Sequence, residues 1–63
     1  MTIVELTGFS GESIYVVCEH ISAIRPDYGS DTNSSVLIAG GNILATVTES
    51  PQEVIALIMD AMS

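Results

Sequence analysis

The sequence predicts a small α+β domain: a strongly bent antiparallel sheet, or half-barrel, of four or five short strands, followed by one C-terminal amphipathic helix. Three observations support this class. Short β-branched runs separated by turn residues fill most of the chain, a glycine pair joins two of these runs, and the last segment begins with a strong helix-start signal. The chain of 63 residues has room for one domain, spanning 1–63.

The first two predicted strands cover residues 2–6 and 13–18, and the turn between them contains two glycines. Apolar side chains fall on both faces of the second strand, with Ile14 and Val16 on one face and Tyr15 and Val17 on the other. We therefore expect both faces to be covered by other parts of the protein.

A third segment, residues 20–24, predicts a short strand or a bent connection, which ends at Arg25 and Pro26 because proline donates no ladder hydrogen bond. Residues 27–34 are polar except for one tyrosine and predict an exposed loop. Arginine and tyrosine are favoured at protein interfaces, so this region is a candidate contact surface for a second protein. The predicted partner-contact residues are Arg25, Asp27, Tyr28 and Asp31. A structural salt bridge for Arg25 and simple packing for Tyr28 explain the same residues at least as well.

The clearest predicted hairpin covers residues 35–48. Two β-rich runs flank Gly40, Gly41 and Asn42, residue types that accept the positive φ of a tight turn. Strict alternation in the second run predicts one face with Ile43, Ala45 and Val47, and an opposite face that is partly wet.

The helix prediction begins at an N-cap, Ser50, followed by Pro51 at the first helical position and Glu53 three residues after the cap. An apolar arc of about 200° follows, twice the roughly 100° that packing on one sheet requires. It comprises Val54, Ile55, Leu57, Ile58, Met59, Ala61 and Met62. Either the protein's own curled sheet covers the surplus, or another chain does. On the second interpretation the oligomer interface contains Ile55, Ile58, Met59 and Met62.

A chain this small is marginally stable without a supplement to its core. Cys18 and His20 are its only cysteine and histidine, which excludes an internal disulfide and a structural zinc site of the usual kind. Oligomerisation is the remaining common supplement. We therefore predict a homodimer or higher oligomer.

No catalytic, cofactor or metal motif emerges from the sequence. Cys18 and His20 share one strand face, but no third group orients them, so a small buried cysteine is the favoured interpretation. Asp27 and Asp31 lack the spacing of a calcium loop. We expect no catalytic residues, no cofactor and no enzyme activity.

Eight acidic residues against one base, Arg25, give a net charge of −7. One arginine cannot neutralise a phosphate backbone, so we expect no direct binding to nucleic acid or to anionic membranes. The sequence shows neither a secretion signal nor a membrane span, and a cytoplasmic location is predicted. Acidity suits an alternative function, that of an inhibitor or adaptor bound to the basic face of a nucleic-acid-binding protein.

The order of elements resembles the small flagellar and swarming-motility proteins of the FlbD type, which are bacterial. The resemblance is carried by "VELT" at residues 4–7, by Gly11-Glu12, by Ile21 and Ile24, and by a closing pattern. That pattern comprises Val47, Glu49, Ser50, Glu53, Val54 and Ile55. The chain departs from the family at Asn42 and Ile43, where family members tend to carry lysines, and residues 26–34 form a longer loop. The resemblance implies the predicted fold and a non-enzymatic accessory role, with no catalytic residues to transfer.

These observations together predict a small, non-catalytic bacterial protein that acts as a self-associating protein-interaction module.

Overall fold

The computed structural model describes residues 1–28 and 34–63. Its elements are β1 (Ile3–Thr7), β2 (Ser13–Val17), a 3-10 helix (Cys18–His20), β3 (Ala23–Pro26), β4 (Ser35–Ala39), β5 (Asn42–Val47) and α1 (Pro51–Met62). The described strands form two antiparallel sheets, β1–β2 and β3–β4–β5. The predicted class, a small α+β fold with a C-terminal helix, is confirmed, although the strands divide into two sheets.

The β1–β2 hairpin buries one face and leaves the other in solvent. Val4 and Leu6 on β1 and Val16 on β2 enter the core, as expected for side chains that alternate across a strand. Tyr15, on the opposite face, is 69% exposed. The expectation that both faces of β2 are covered is therefore wrong for the outer face, because no described element packs over Tyr15.

The segment after β2 contains one full turn that the sequence analysis did not predict. Cys18–His20 form a 3-10 helix, and the strand that follows begins at Ala23, later than predicted. The Ser22 N–H donates to the Ile38 carbonyl at 2.8 Å, so hydrogen bonding with β4 begins at the residue before β3. Pro26 is the last residue of β3, in agreement with its predicted role as a strand end.

The β4–β5 hairpin turns at Gly40 and Gly41, whose φ angles are +61° and +85°. Positive φ at two consecutive residues is the type I′ turn preferred by two-residue hairpins, and Asn42 already belongs to β5. The register pairs Ile38 with Ile43 but Leu37 with Ala45. Leu44 is thus the extra residue of a β-bulge. The prediction that side chains alternate strictly between the two faces of β5 is therefore wrong between Leu44 and the turn.

The two sheets and the helix meet at one junction, at the end of β5. The Thr48 N–H donates to the Thr7 carbonyl at 2.8 Å, and the Glu49 carboxylate accepts from the Thr7 N–H at 3.0 and 3.1 Å. The Ser35 hydroxyl donates to the Glu49 carbonyl at 2.7 Å. The predicted capping box is present: the Glu53 N–H donates to Ser50 Oγ, and the Glu53 carboxylate accepts from the Ser50 N–H.

The core lies between the sheets and under the first turns of α1. Its buried apolar residues are Val4, Leu6, Val16, Cys18, Leu37, Val47 and Val54. Ser34 and Ser35 are also buried, so the prediction of an exposed loop through residue 34 is wrong at Ser34. The Ser34 hydroxyl has no hydrogen-bond partner in the part of the chain described here.

Candidate protein-interaction surfaces

The helix α1 is held to the sheets mainly by its first two turns. Val54 is its one buried residue, and Ile58, one turn later, is half-buried against the same core. The described contacts of α1 are chiefly with β1 and β3. Every residue after Ile58 is exposed, so the last turn projects beyond the sheets.

One apolar stripe of α1 faces solvent. Ile55, Met59 and Met62 are 46%, 67% and 61% exposed, and their spacing of four and three residues places them on one side of the helix. We call these three residues the helix stripe. Ile58, which is predicted with them at an oligomer interface, is half-buried against the core.

Three of the four predicted partner-contact residues lie in the second half of β3 or directly after it. Arg25 is exposed within β3, and Tyr28, just after that strand, is 85% exposed. Asp27 is half-buried, and its N–H donates to the Ser34 carbonyl at 3.0 Å. Asp31 lies outside the described residues.

Cys18 is poorly suited to nucleophilic chemistry. Its side chain is buried, and burial together with the neighbouring Glu19 carboxylate raises the pKa of the thiol above its ordinary value. The thiol therefore stays protonated at neutral pH, whereas a reactive cysteine needs the thiolate. His20 is exposed at the end of the 3-10 helix. The described residues contain no group of three or more side chains placed to hold a metal ion.

A cleft that the sequence analysis missed lies between β2 and β5. It has a volume of about 200 Å³ and is lined by Ile14, Tyr15, Val16, Val17, His20, Leu44 and Ala45. Consecutive residues of β2 line it, which means that the cleft runs along the edge of that strand. The only sequence signal for it was the apolar character of both faces of β2, which we interpreted as a sign of burial.

No protein-family model, curated protein or solved structure matches this chain. Within the described residues, no helix combines the length and the hydropathy needed to cross a membrane.

Proposed function

We propose that this chain is a small, non-catalytic bacterial protein-interaction module that associates with itself through the helix stripe. The observation that carries the proposal is the exposure of Ile55, Met59 and Met62 on one side of a helix already anchored by Val54. Apolar surface that the monomer does not use, on a chain of marginal size, is typical of a subunit interface. A two-fold dimer would place the stripe of one copy against the same stripe of the other.

The energetics require more than the stripe alone. Full burial of a side chain of this kind contributes roughly 1.5–3 kcal/mol, and the three stripe residues are still 46%, 67% and 61% exposed in the monomer. Two copies of the stripe then contribute about 5–10 kcal/mol, against an association cost of about 4–15 kcal/mol. A stable dimer therefore needs a second contact beside the helix.

Strand β3 offers that second contact. It is an edge strand of its sheet, and it packs against α1. Exposed edge strands readily pair with another chain. Pro26 limits such pairing to the first part of β3, because proline donates no hydrogen bond. Helix stripe and β3 edge together make the proposed self-interface.

The resemblance to proteins of the FlbD type belongs to this proposal, but it adds no functional residue. Val47 and Val54 are core residues, Glu49 joins the sheets, and Ser50 and Glu53 cap the helix. These five residues of the closing pattern therefore serve the fold, while Met59 and Met62 of the helix stripe lie outside the resemblance.

The test is the native mass measured by light scattering over a hundredfold range of protein concentration. We expect an oligomer in the wild type and a monomer in Met59→Asp, because the new carboxylate would have to be buried at the interface. The matched control is Ala56→Asp, which adds the same charge at an exposed helix position outside the stripe.

The control should keep the wild-type mass. A wild type that is monomeric at every concentration would overturn the proposal. Equal dissociation by both aspartates would also contradict it, because added charge rather than loss of the stripe would then explain the result.

A further inference from the structure

Among the described residues, no strand pairs with the outer edge of β2. β2 pairs with β1 alone. The backbone bonds from Cys18 to Thr2 and from Gly8 to Glu12 show that this ladder joins even-numbered residues. In an antiparallel pair the intervening residues turn their N–H and C=O groups away from the partner strand. Ser13, Tyr15 and Val17 therefore present their backbone groups at the outer edge.

The same alternation is seen at the end of β1, where the outward groups of Thr7 are used. Thr7 is odd-numbered, and its N–H and C=O bond to Glu49 and Thr48 rather than to β2. The end of β1 is thus covered by the junction with β5, while β2 has no equivalent cover among the described residues.

The cleft beside this edge has an apolar wall shaped by the bulge in β5. Leu44 is the unpaired residue of that bulge, and it lines the cleft together with Ile14 and Val16 of β2. Bulges commonly redirect a side chain in this way. A volume of about 200 Å³ is adequate for one large apolar side chain, since cavities of about 150 Å³ accept benzene.

Three glutamates lie on or next to the β1–β2 hairpin. Glu5 is the cross-strand neighbour of Tyr15 on the outer face of the hairpin, and Glu12 and Glu19 lie just before and just after β2. The Thr2 N–H donates to the Glu19 carboxylate at 2.9 Å and lowers its pKa, so Glu19 is charged at neutral pH. The single basic side chain, Arg25, belongs to the other sheet.

We propose that this cleft binds an extended segment of a partner protein in which basic and apolar residues alternate. The segment adds a strand to the outer edge of β2, inserts one apolar side chain into the cleft beside Val16 and Leu44, and directs its basic side chains to the opposite, outer face, where Glu5 lies. Backbone pairing supplies affinity and the alternating side chains supply specificity, as in other strand-addition complexes. This surface is separate from the helix stripe, and the inference does not depend on self-association.

The experiment measures fluorescence anisotropy with a labelled seven-residue peptide in which lysine alternates with valine and leucine. Two comparison peptides carry glutamate for lysine, or N-methyl groups on the backbone nitrogens of one edge. We expect saturable binding of the lysine peptide. Each comparison peptide should bind at least about tenfold more weakly, which corresponds to about 1.4 kcal/mol.

Two adjacent residues of β5 provide matched protein variants. Leu44 is 47% exposed and lines the cleft, whereas Ile43 is 64% exposed and does not. Leu44→Gln should weaken peptide binding at least about tenfold, and Ile43→Gln should change it less than about twofold. Met59→Asp should leave peptide binding unchanged, whatever it does to the native mass.

Several outcomes overturn the proposal. Undetectable binding of the lysine peptide at millimolar concentration would do so, and so would equal binding of the N-methylated peptide, which would indicate simple charge attraction. A third outcome would be that the lysine peptide does not bind the wild type, and that folded Leu44→Gln has a lower native mass than the wild type. The cleft would then be part of a contact between two copies of this chain.

Discussion

Two regions of this small protein use similar residues in different ways. At the junction between β5 and the start of α1, backbone and side-chain groups of Thr7, Ser35, Glu49 and Ser50 are hydrogen-bonded, and Val47 and Val54 are fully buried. In the far half of α1, Met59 and Met62 are mostly exposed. The difference teaches that the apolar arc of the helix has two parts. One part packs into the core, and the other lies outside it.

The largest expected effect comes from placing the same residue in both regions. Val54→Asp puts a carboxylate where no described group can pair with it, and we expect a loss of more than about 4 kcal/mol, enough to unfold a domain of this size. Met59→Asp should change the stability of the monomer by less than about 1 kcal/mol. Urea unfolding followed by circular dichroism at low protein concentration measures both.

A similar loss in the two variants would contradict this division of the helix. It would mean that the far half of α1 contributes to the stability of the monomer as strongly as the junction does.

Two adjacent serines give a smaller and sharper test of the junction. Ser35→Ala leaves the Glu49 carbonyl without its donor, and we expect a loss of about 1–2 kcal/mol in the free energy of unfolding. Ser34→Ala removes a buried hydroxyl that has no described partner, so we expect no loss and a gain of up to about 1 kcal/mol.

The same urea titration distinguishes the two serine variants, and each is the control for the other. If Ser34→Ala destabilises the protein as much as Ser35→Ala, the Ser34 hydroxyl has a partner that matters for folding.

The smallest expected effect is a pH dependence of the free energy of unfolding. It arises from Glu19, at the end of the β1–β2 hairpin opposite the turn. Hydrogen bonding from the Thr2 N–H lowers the pKa of Glu19 in the folded protein. A lowered carboxyl pKa stabilises the fold above the ordinary glutamate pKa of about 4.3, and the contribution is lost as pH falls through that value toward the folded pKa. Glu19→Gln lacks this ionisation.

We therefore expect wild type to exceed Glu19→Gln in urea midpoint at pH 7, and the difference to shrink between pH 5 and pH 3. The difference should be modest because the carboxylate is exposed. A difference that widens on acidification would have the wrong sign and would exclude this role for Glu19.

Local signals in the sequence identified most of the elements. The capping residues Ser50, Pro51 and Glu53 fixed the start of α1, and the pair Gly40-Gly41 located the hairpin, because cap and turn preferences act within a few residues. The 3-10 turn at Cys18 and the bulge at Leu44 were missed. Both depend on how a strand pairs and packs with other segments. The alternation of polar and apolar residues along one strand does not contain that information.

The candidate surfaces were predicted less completely than the fold. Ile55, Ile58, Met59 and Met62 were predicted as a possible interface because a helix arc is readable from its period. The cleft along β2 was not, because an apolar strand face looks the same in sequence whether a neighbouring element covers it or leaves it open.

The sequence by itself determined the order of strands, hairpin and helix, the helix cap, the absence of a disulfide and the acidic charge. These follow from residue types and short-range spacing. Only the tertiary structure decided that Val54 is buried while its neighbour Ile55 is not, that Glu49 joins the sheets, and that β2 keeps an open edge beside Leu44. The physical reason is that burial and edge pairing depend on contacts between segments far apart in the chain.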